Sequence, residues 1–345
     1  MKSSVLIFLT IFSSCMLVGQ TATDSIKGIK KLPVFGKHKY KFNYDAFALT
    51  NPALENPKLG WRSPMYKGED IIFDFQPILT LHFFKNYNKS VKQDKILSMG
   101  YYFTFRPQFR MYNKDSNPVQ MPSYRFFIGL QHLYRINKRN LISYKLESGH
   151  YSNGQTSCAF AMGFDEGSSE CDSIYNLINR NSDLSEMLNR SNGDFSTNLT
   201  HTSFAYRFIP NFDDYNTPQQ IHTFSFGLTI YHNNFLGLID KGGIADENID
   251  IFGRTRFLMG YNYLFKWQSG YRILAEQNFE LISGAHSHVN PLRSMTTFTI
   301  FLPRNIGFFI NYTYGHDNYN IRFVDSGHQF GAGVSWDLFA PVSIN

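Results

Sequence analysis

The sequence predicts an all-β fold: a transmembrane antiparallel β-barrel of about 12 strands. Three observations point there. Aromatic residues make up 17% of the 345-residue chain, with 34 Phe and 21 Tyr, and charged residues only 17%. About a dozen segments alternate apolar and polar side chains with the two-residue period of a strand. Beyond the N-terminus no apolar run is long enough for a spanning helix. A barrel with a polar lumen and aromatic girdles accounts for all three. A soluble β-sandwich would also alternate, but these segments are long and their apolar faces carry many large aromatics.

Residues 1–20 read as a secretory signal, with Lys2 as the basic start, Val5 to Phe12 as the apolar stretch, and cleavage near Gln20 or Ala22. The approach to Cys15, Phe12-Ser13-Ser14, is a poor lipoprotein match. Residues 21–36 are expected to form an N-terminal periplasmic segment, and 37–345 the barrel. Alternating segments lie near 37–49, 70–84, 95–112, 123–136, 141–152, 194–210, 222–233, 250–265, 271–283, 293–303, 307–317 and 328–339. The first alternates weakly. The last sets Phe330, Ala332, Val334, Trp336 and Leu338 on one face. Regular spacing of this kind predicts a meander closed into a barrel.

The connections agree with alternating ends. Asn137 to Asn140, Lys266 to Gly270 and Arg304 to Ile306 are short and fall at expected periplasmic ends. The long pieces 51–69, 153–193, 234–249 and 318–327 fall at expected outer ends. The links 85–94 and 211–221 are longer than a periplasmic turn needs. A short helix is expected between Asp172 and Leu188. Cys158 and Cys171 share the longest loop. Export permits a disulfide, and the sequence leaves pairing and two free thiols both open. The net charge of +6 suits anionic lipid, or simply an excess of Lys and Arg in loops and lumen. No nucleic-acid motif stands out.

One stretch carries chemistry: His150-Tyr151-Ser152-Asn153-Gly154. It ends the segment from Leu141 to Ser152. His150 and Ser152 are two residues apart, so they share the face of Ile142, Tyr144 and Leu146, while Ser143, Lys145 and Glu147 face the lumen. A base and a hydroxyl side by side on a lipid-facing wall suggest hydrolysis of a lipid ester. Such chemistry needs a third group that orients the base. On the next segment, Asn198 shares its face with Phe204 and Tyr206 and lies near the outer end, and strands joined through one loop are expected to be antiparallel neighbours. Asn198 is therefore the expected orienter.

At these residues the chain resembles the outer-membrane phospholipase A family, twelve-stranded barrels active as calcium-dependent dimers. The resemblance rests on His150, Ser152, Asn153 and Gly154, on Ser196-Thr197-Asn198, and on the chain end Phe330-Gly331-Ala332-Gly333-Val334 with Asp337-Leu338-Phe339; six residues, Ala340 to Asn345, extend past the usual terminal aromatic. It implies Ser152 as nucleophile, His150 as base, Asn198 as orienter and the Gly154 N–H as an oxyanion donor. It implies Ca2+ ligands among Gln155, Asp194 and Ser196, with Ser116 contributed by a partner subunit, and a phospholipid substrate in a bacterial outer membrane.

Other residues read more plainly. Lys145 and Glu147 are expected in a lumen salt network, Asp165 and Glu166 on a solvated loop edge, and Ser191-Asn192-Gly193 in a turn. His201, His222, His232 and His328 are expected in lumen, girdle or loop. Two other functions compete. A lipid A deacylase barrel shares a similar motif but uses a Glu orienter, for which Glu166 is the candidate, and eight strands. A passive porin would make the His/Ser pair incidental.

Overall fold

The computed structural model describes residues 56–337, apart from 67–68, 91–94, 116–118, 120, 138, 213–217, 245, 268–269 and 304. The expected signal, the segment 21–36, the alternating stretch 37–49, Ser116 and the C-terminal extension lie outside the described residues. In chain order the strands are β1 (Lys58–Arg62), β2 (Ile71–Gln76), β3 (Leu79–Ser90), β4 (Lys95–Phe105), β5 (Phe109–Tyr112), β6 (Tyr124–Arg135), β7 (Asn140–Ser152), β8 (Ser196–Phe208) and β9 (Gln220–His232). A small hairpin follows, β10 (Asn234–Phe235) with β11 (Ile239–Asp240). The wall resumes with β12 (Thr255–Lys266), β13 (Arg272–Ser283), β14 (Leu292–Phe301), β15 (Ile306–His316) and β16 (Ser326–Trp336).

All but the small hairpin belong to one antiparallel sheet of 14 strands. Two of its hairpin arms are interrupted rather than ended. β2 and β3 are separated only by 77–78, and β4 and β5 only by 106–108. The pairs Phe75↔Phe109 and Leu79↔Phe105 lie on one continuous register. Pro77 and Pro107 sit in these breaks, and a proline has no N–H to give a ladder. β1 pairs with both β16 and β2, so the pairing runs round in a cycle. With each interrupted arm counted once, that cycle has 12 strands among the described residues.

The alternation is the one the sequence predicts. Along β15 the outward residues Phe308, Ile310, Tyr312 and Tyr314 are exposed, while Gly307, Phe309, Asn311 and Thr313 are buried. An apolar belt runs round the outside, through Ile128, Leu146, Phe204, Phe226, Met259, Phe298, Ile310 and Phe330, all exposed. An apolar surface of that extent needs lipid. The inside is polar. Glu147 accepts from Lys145 Nζ at 3.0 Å, Arg106 NH1 at 3.0 Å and Tyr102 Oη at 2.9 Å. Asp74 pairs with Arg62 and Arg110. The expected salt network of Lys145 and Glu147 is present, and His201 faces the lumen, bonded to Thr229. His222 and His328 sit among outward aromatics: His222 bonds Tyr261 and His328 bonds Tyr312.

Three segment boundaries differ from expectation. β1 falls inside 51–69, which reads as an outer loop; a strand of five residues, flanked by Pro57 and Pro64, is too short to display alternation. The stretch 250–265 begins as a helix, Asp246–Phe252, and Gly253 at φ +71° turns the chain into β12. The link expected over 85–94 shortens to 91–94 because β3 and β4 extend. The turn after β6 works as the sequence suggests: Asn137 Oδ1 accepts from the backbone N–H of Arg139 and of Asn140.

The outer mouth is filled. Loop residues Phe160, Leu188, Phe195, Phe252, Phe323 and Val324 pack onto inward-facing Phe127, Tyr151, Leu199 and Tyr231. Helices Ser169–Leu177 and Leu184–Met187 belong to this cap; the expected stretch from Asp172 holds helix, but the first helix begins three residues earlier, where Ser168 caps it by accepting from the Cys171 N–H. A cavity of about 340 Å³ remains below it, lined by Arg62, Arg106, Lys145, Glu147 and Glu280 among others. A mouth packed with aromatics argues against a wide pore.

The belt makes a stability prediction. Ile310, mid-strand and 62% exposed on the outward face, should tolerate leucine. Ile310→Arg should cost about 2–4 kcal/mol on folding into a bilayer, because the charge enters hydrocarbon. Guanidinium titration of refolding into vesicles measures the difference; equal midpoints for the two variants would place this face in water.

Candidate active site

The site is built on the outer ends of β7, β8 and β9. The register sets His150 opposite Asn198 and Ser152 opposite Ser196. His150, Ser152 and Asn198 all project from the outward wall, as their parity predicts. His150 and Ser152 are half-buried, and Asn198 is fully buried. His150 Nδ1 lies 3.0 Å from Asn198 Oδ1. Asn198 Nδ2 donates to the backbone carbonyls of Asn233 and Lys241, each at 2.7 Å.

Those two carbonyls decide the protonation pattern. A carbonyl can only accept, so the nitrogen of the Asn198 amide must face them and its oxygen must face His150. Oδ1 then accepts from His150 Nδ1–H. In the neutral ring the lone pair sits on Nε2, the atom a general base needs free. The ring has two close neighbours. Phe126 of β6 packs on it at 5.4 Å between centroids. Gly242 is the second, where an added Cβ would stand 3.2 Å from His150 Cε1.

Among the described residues no hydrogen bond joins Ser152 Oγ to His150. The two side chains rise from one face of one strand, with Cα atoms about 6.6 Å apart by strand geometry. Such bonds are often long without substrate.

Beyond Ser152 the chain turns sharply. Asn153 is fully buried. Its Oδ1 accepts from the N–H of Gln155 and of Phe195, and its Nδ2 donates to Gly193 O at 2.7 Å. Asn153 therefore ties the two ends of the long loop together. Gly154 follows at φ +66°, a conformation that favours glycine, and it is exposed. The loop itself is braced by a Cys158–Cys171 disulfide, so of the two open readings the bonded one holds. Cys158, Cys171 and Glu166 cluster closely, but bonded sulfurs are poor metal ligands.

Glu166 departs from its expected place. It is half-buried rather than a solvated edge, accepting from Ala159 N–H at 3.3 Å. Burial and the neighbouring Asp194 charge push its carboxyl up to about 7. Burial likewise pushes Asp194 up to about 6. Neither makes an ion pair among the described residues. Glu166 does not orient the imidazole, because Asn198 already occupies His150 Nδ1.

Of the oxygen donors expected for Ca2+, Gln155 follows Gly154 in the chain, Ser196 lies opposite Ser152 across the strands, and the Asp194 N–H donates to Ser157 O at 2.6 Å. Ser196 Oγ donates to Gly242 O at 3.1 Å. Asp194 and Glu166, neighbouring acids that pair with no cationic side chain among the described residues, offer the hard oxygen donors that a divalent cation takes.

The sequence reading missed the 233–242 hairpin, which supplies both carbonyls and the Gly242 wall. Its Asn233-Asn234 and Gly242-Gly243 pairs mark turns, but nothing local ties them to Asn198. Asn153 was read only as part of the motif, yet it closes the loop.

The raised carboxyls imply a pH dependence. A folded-state value above the unfolded one means that the folded chain binds more protons, so stability falls as pH rises from about 4.5 through 7. Thermal unfolding in detergent with chelator, followed by circular dichroism, should show a lower midpoint at pH 8 than at pH 5. Glu166→Gln should flatten that dependence. A midpoint that rises with pH would contradict the assignment.

No family model and no curated protein matches the sequence. Among solved structures the chain is similar to outer membrane phospholipase A from Escherichia coli, with TM-score 0.44 and 10% identity over 82% of this chain and 92% of that one. The Salmonella typhi outer membrane phospholipase dimer with bound calcium gives TM-score 0.44 and 10% identity over 85% and 97%. The NanC porin gives TM-score 0.38 and 8% identity over 81% and 98%. These likenesses extend to an enzyme and a porin alike, and the site's chemistry stands on its own geometry.

Proposed function

We propose that the protein is an outer-membrane phospholipase that cleaves acyl esters of glycerophospholipids. The observation that carries this reading is the His150–Asn198 bond, with the asparagine amide locked by two carbonyls beside a serine on the lipid-facing wall. Ser152 Oγ attacks the ester carbonyl carbon. Its proton passes to His150 Nε2, and the imidazolium that forms keeps its Nδ1–H on Asn198 Oδ1. Collapse of the tetrahedral intermediate breaks the acyl–oxygen bond, and His150 returns the proton to the departing alcohol. Water, deprotonated by the same nitrogen, then releases the fatty acid and restores Ser152.

The Gly154 N–H, exposed at the turn, is the protein's own donor for the oxyanion. A calcium ion held by Gln155, Asp194 and Ser196, with Ser116 from a second copy, would add positive charge near that oxygen. In this reading the active form is a homodimer. An amide in place of a carboxylate does not neutralise the imidazolium; it fixes the ring's direction. The Asn233 and Lys241 carbonyls act through Asn198 and are positioning groups.

Refolded protein given phosphatidylethanolamine in mixed micelles with calcium should release fatty acid. Ser152→Ala should abolish that release. Asn198→Ala should lower the rate by about 10²-fold or more, the range of a general base that has lost its orientation, and a chelator should suppress native activity. Release that persists in Ser152→Ala would overturn the assignment.

A further inference from the structure

The hairpin that holds Asn198 has a second feature. Its tip, Leu236-Gly237-Leu238-Ile239, is apolar, with Leu238 86% and Ile239 53% exposed. Leu236 adopts φ +54° and Gly237 φ +72°. The turn is closed by Leu238 N–H to Phe235 O at 3.1 Å. A leucine in the left-handed region is uncommon, and such outliers persist where the surroundings enforce them.

The hairpin leans on the outer wall rather than over the lumen. Phe235 packs 6.1 Å from Phe126, an outward residue of β6 that also packs on His150. The hairpin also follows directly from β9, whose outward Phe224, Phe226 and Ile230 belong to the exposed belt. The apolar tip therefore continues a surface already facing lipid. Lys241 at its base is exposed, and a long cationic side chain beside an apolar surface can reach a phosphate while its stem stays on that surface.

We propose that the 233–242 hairpin is a lipid-contacting lever, whose Leu238 and Ile239 enter the acyl layer while its Asn233 and Lys241 carbonyls set Asn198 and so the His150 ring. This rests on the hydrolase reading for its consequence, but the contact itself does not need catalysis. Tip and carbonyls belong to one short hairpin, and each carbonyl stands 2.7 Å from Asn198 Nδ2, so a tip displaced from the wall carries the two carbonyls away from Asn198. The occupant is the acyl region of surrounding lipid; a protein partner at the same tip is the alternative the test excludes.

The test places an environment-sensitive NBD label on Leu238→Cys in a Ser152→Ala background, reconstituted in phosphatidylcholine–phosphatidylglycerol vesicles with or without acyl-brominated lipid. Cys15→Ser removes the third cysteine, and the buried Cys158–Cys171 disulfide does not compete for label. Blue-shifted emission quenched by the brominated lipid is expected. Water-like emission without quenching would overturn the proposal. In the Ser152 form, Leu238→Asp with Ile239→Asp should lower fatty-acid release from vesicles by at least about tenfold, with the barrel intact by heat-modifiable electrophoresis. Unchanged release would also overturn it. Quenching without any hydrolysis by the native chain would leave the lipid contact standing and remove the enzyme; hydrolysis without quenching would do the reverse.

Discussion

A slip of one residue between β7 and β8 would turn Asn198 away from His150. Side chains alternate strictly along a strand, so register alone decides which pairs can meet. Here His150 faces Asn198 because thirteen paired positions, from Asn140↔Phe208 to Ser152↔Ser196, hold the two strands in step. Side chains reinforce that register across the same two strands: Thr200 Oγ1 donates to Ser148 Oγ at 3.1 Å and Tyr206 Oη to Asn140 Oδ1 at 2.6 Å. The apolar belt, with Leu146 and Phe204 outside, sets the parity that keeps His150 and Asn198 on one face.

The barrel is the reverse of a soluble core in its polarity. Charged groups with good partners fill the interior, and aromatic and aliphatic side chains cover the outside. A polar group on that outside is costly unless it is paired. The wall near the site keeps to this rule. Thr200 bonds Ser148 and His232, and both nitrogen-bound hydrogens of the Asn198 amide are taken up by carbonyls. Ser152 stands apart, with no partner among the described residues, and it is the group that the proposed reaction needs unencumbered.

Loop packing supplies the rest of the constraint. Asn153 joins both ends of a loop about forty residues long, the disulfide braces that loop's middle, and its aromatic residues pack into the barrel mouth. The same cap that closes the lumen therefore holds the turn at Gly154. The short hairpin after β9 makes the matching contribution through Asn198, whose amide it holds with two carbonyls. Rigid wall strands place the side chains, and two loops decide how those side chains are oriented.

Much of this was legible in the sequence. Alternation gave the strands, the inward set Ser143, Lys145 and Glu147, and the outward set His150 and Ser152. Parity and adjacency placed Asn198 beside them, because a two-residue period and an antiparallel hairpin leave little freedom. What escaped depends on contacts far apart in the chain. β1 is too short to alternate visibly, and it is a strand because β16 and β2 both offer it edges. The breaks at Pro77 and Pro107 split arms that read as continuous. Glu166 looks like a solvent-exposed acid until the disulfide loop folds over it. The orientation of the Asn198 amide, and through it the free nitrogen of His150, is decided by carbonyls of residues 233 and 241. Backbone carbonyls are the same in every residue type, so no side-chain pattern could announce them; only the folded chain brings them there.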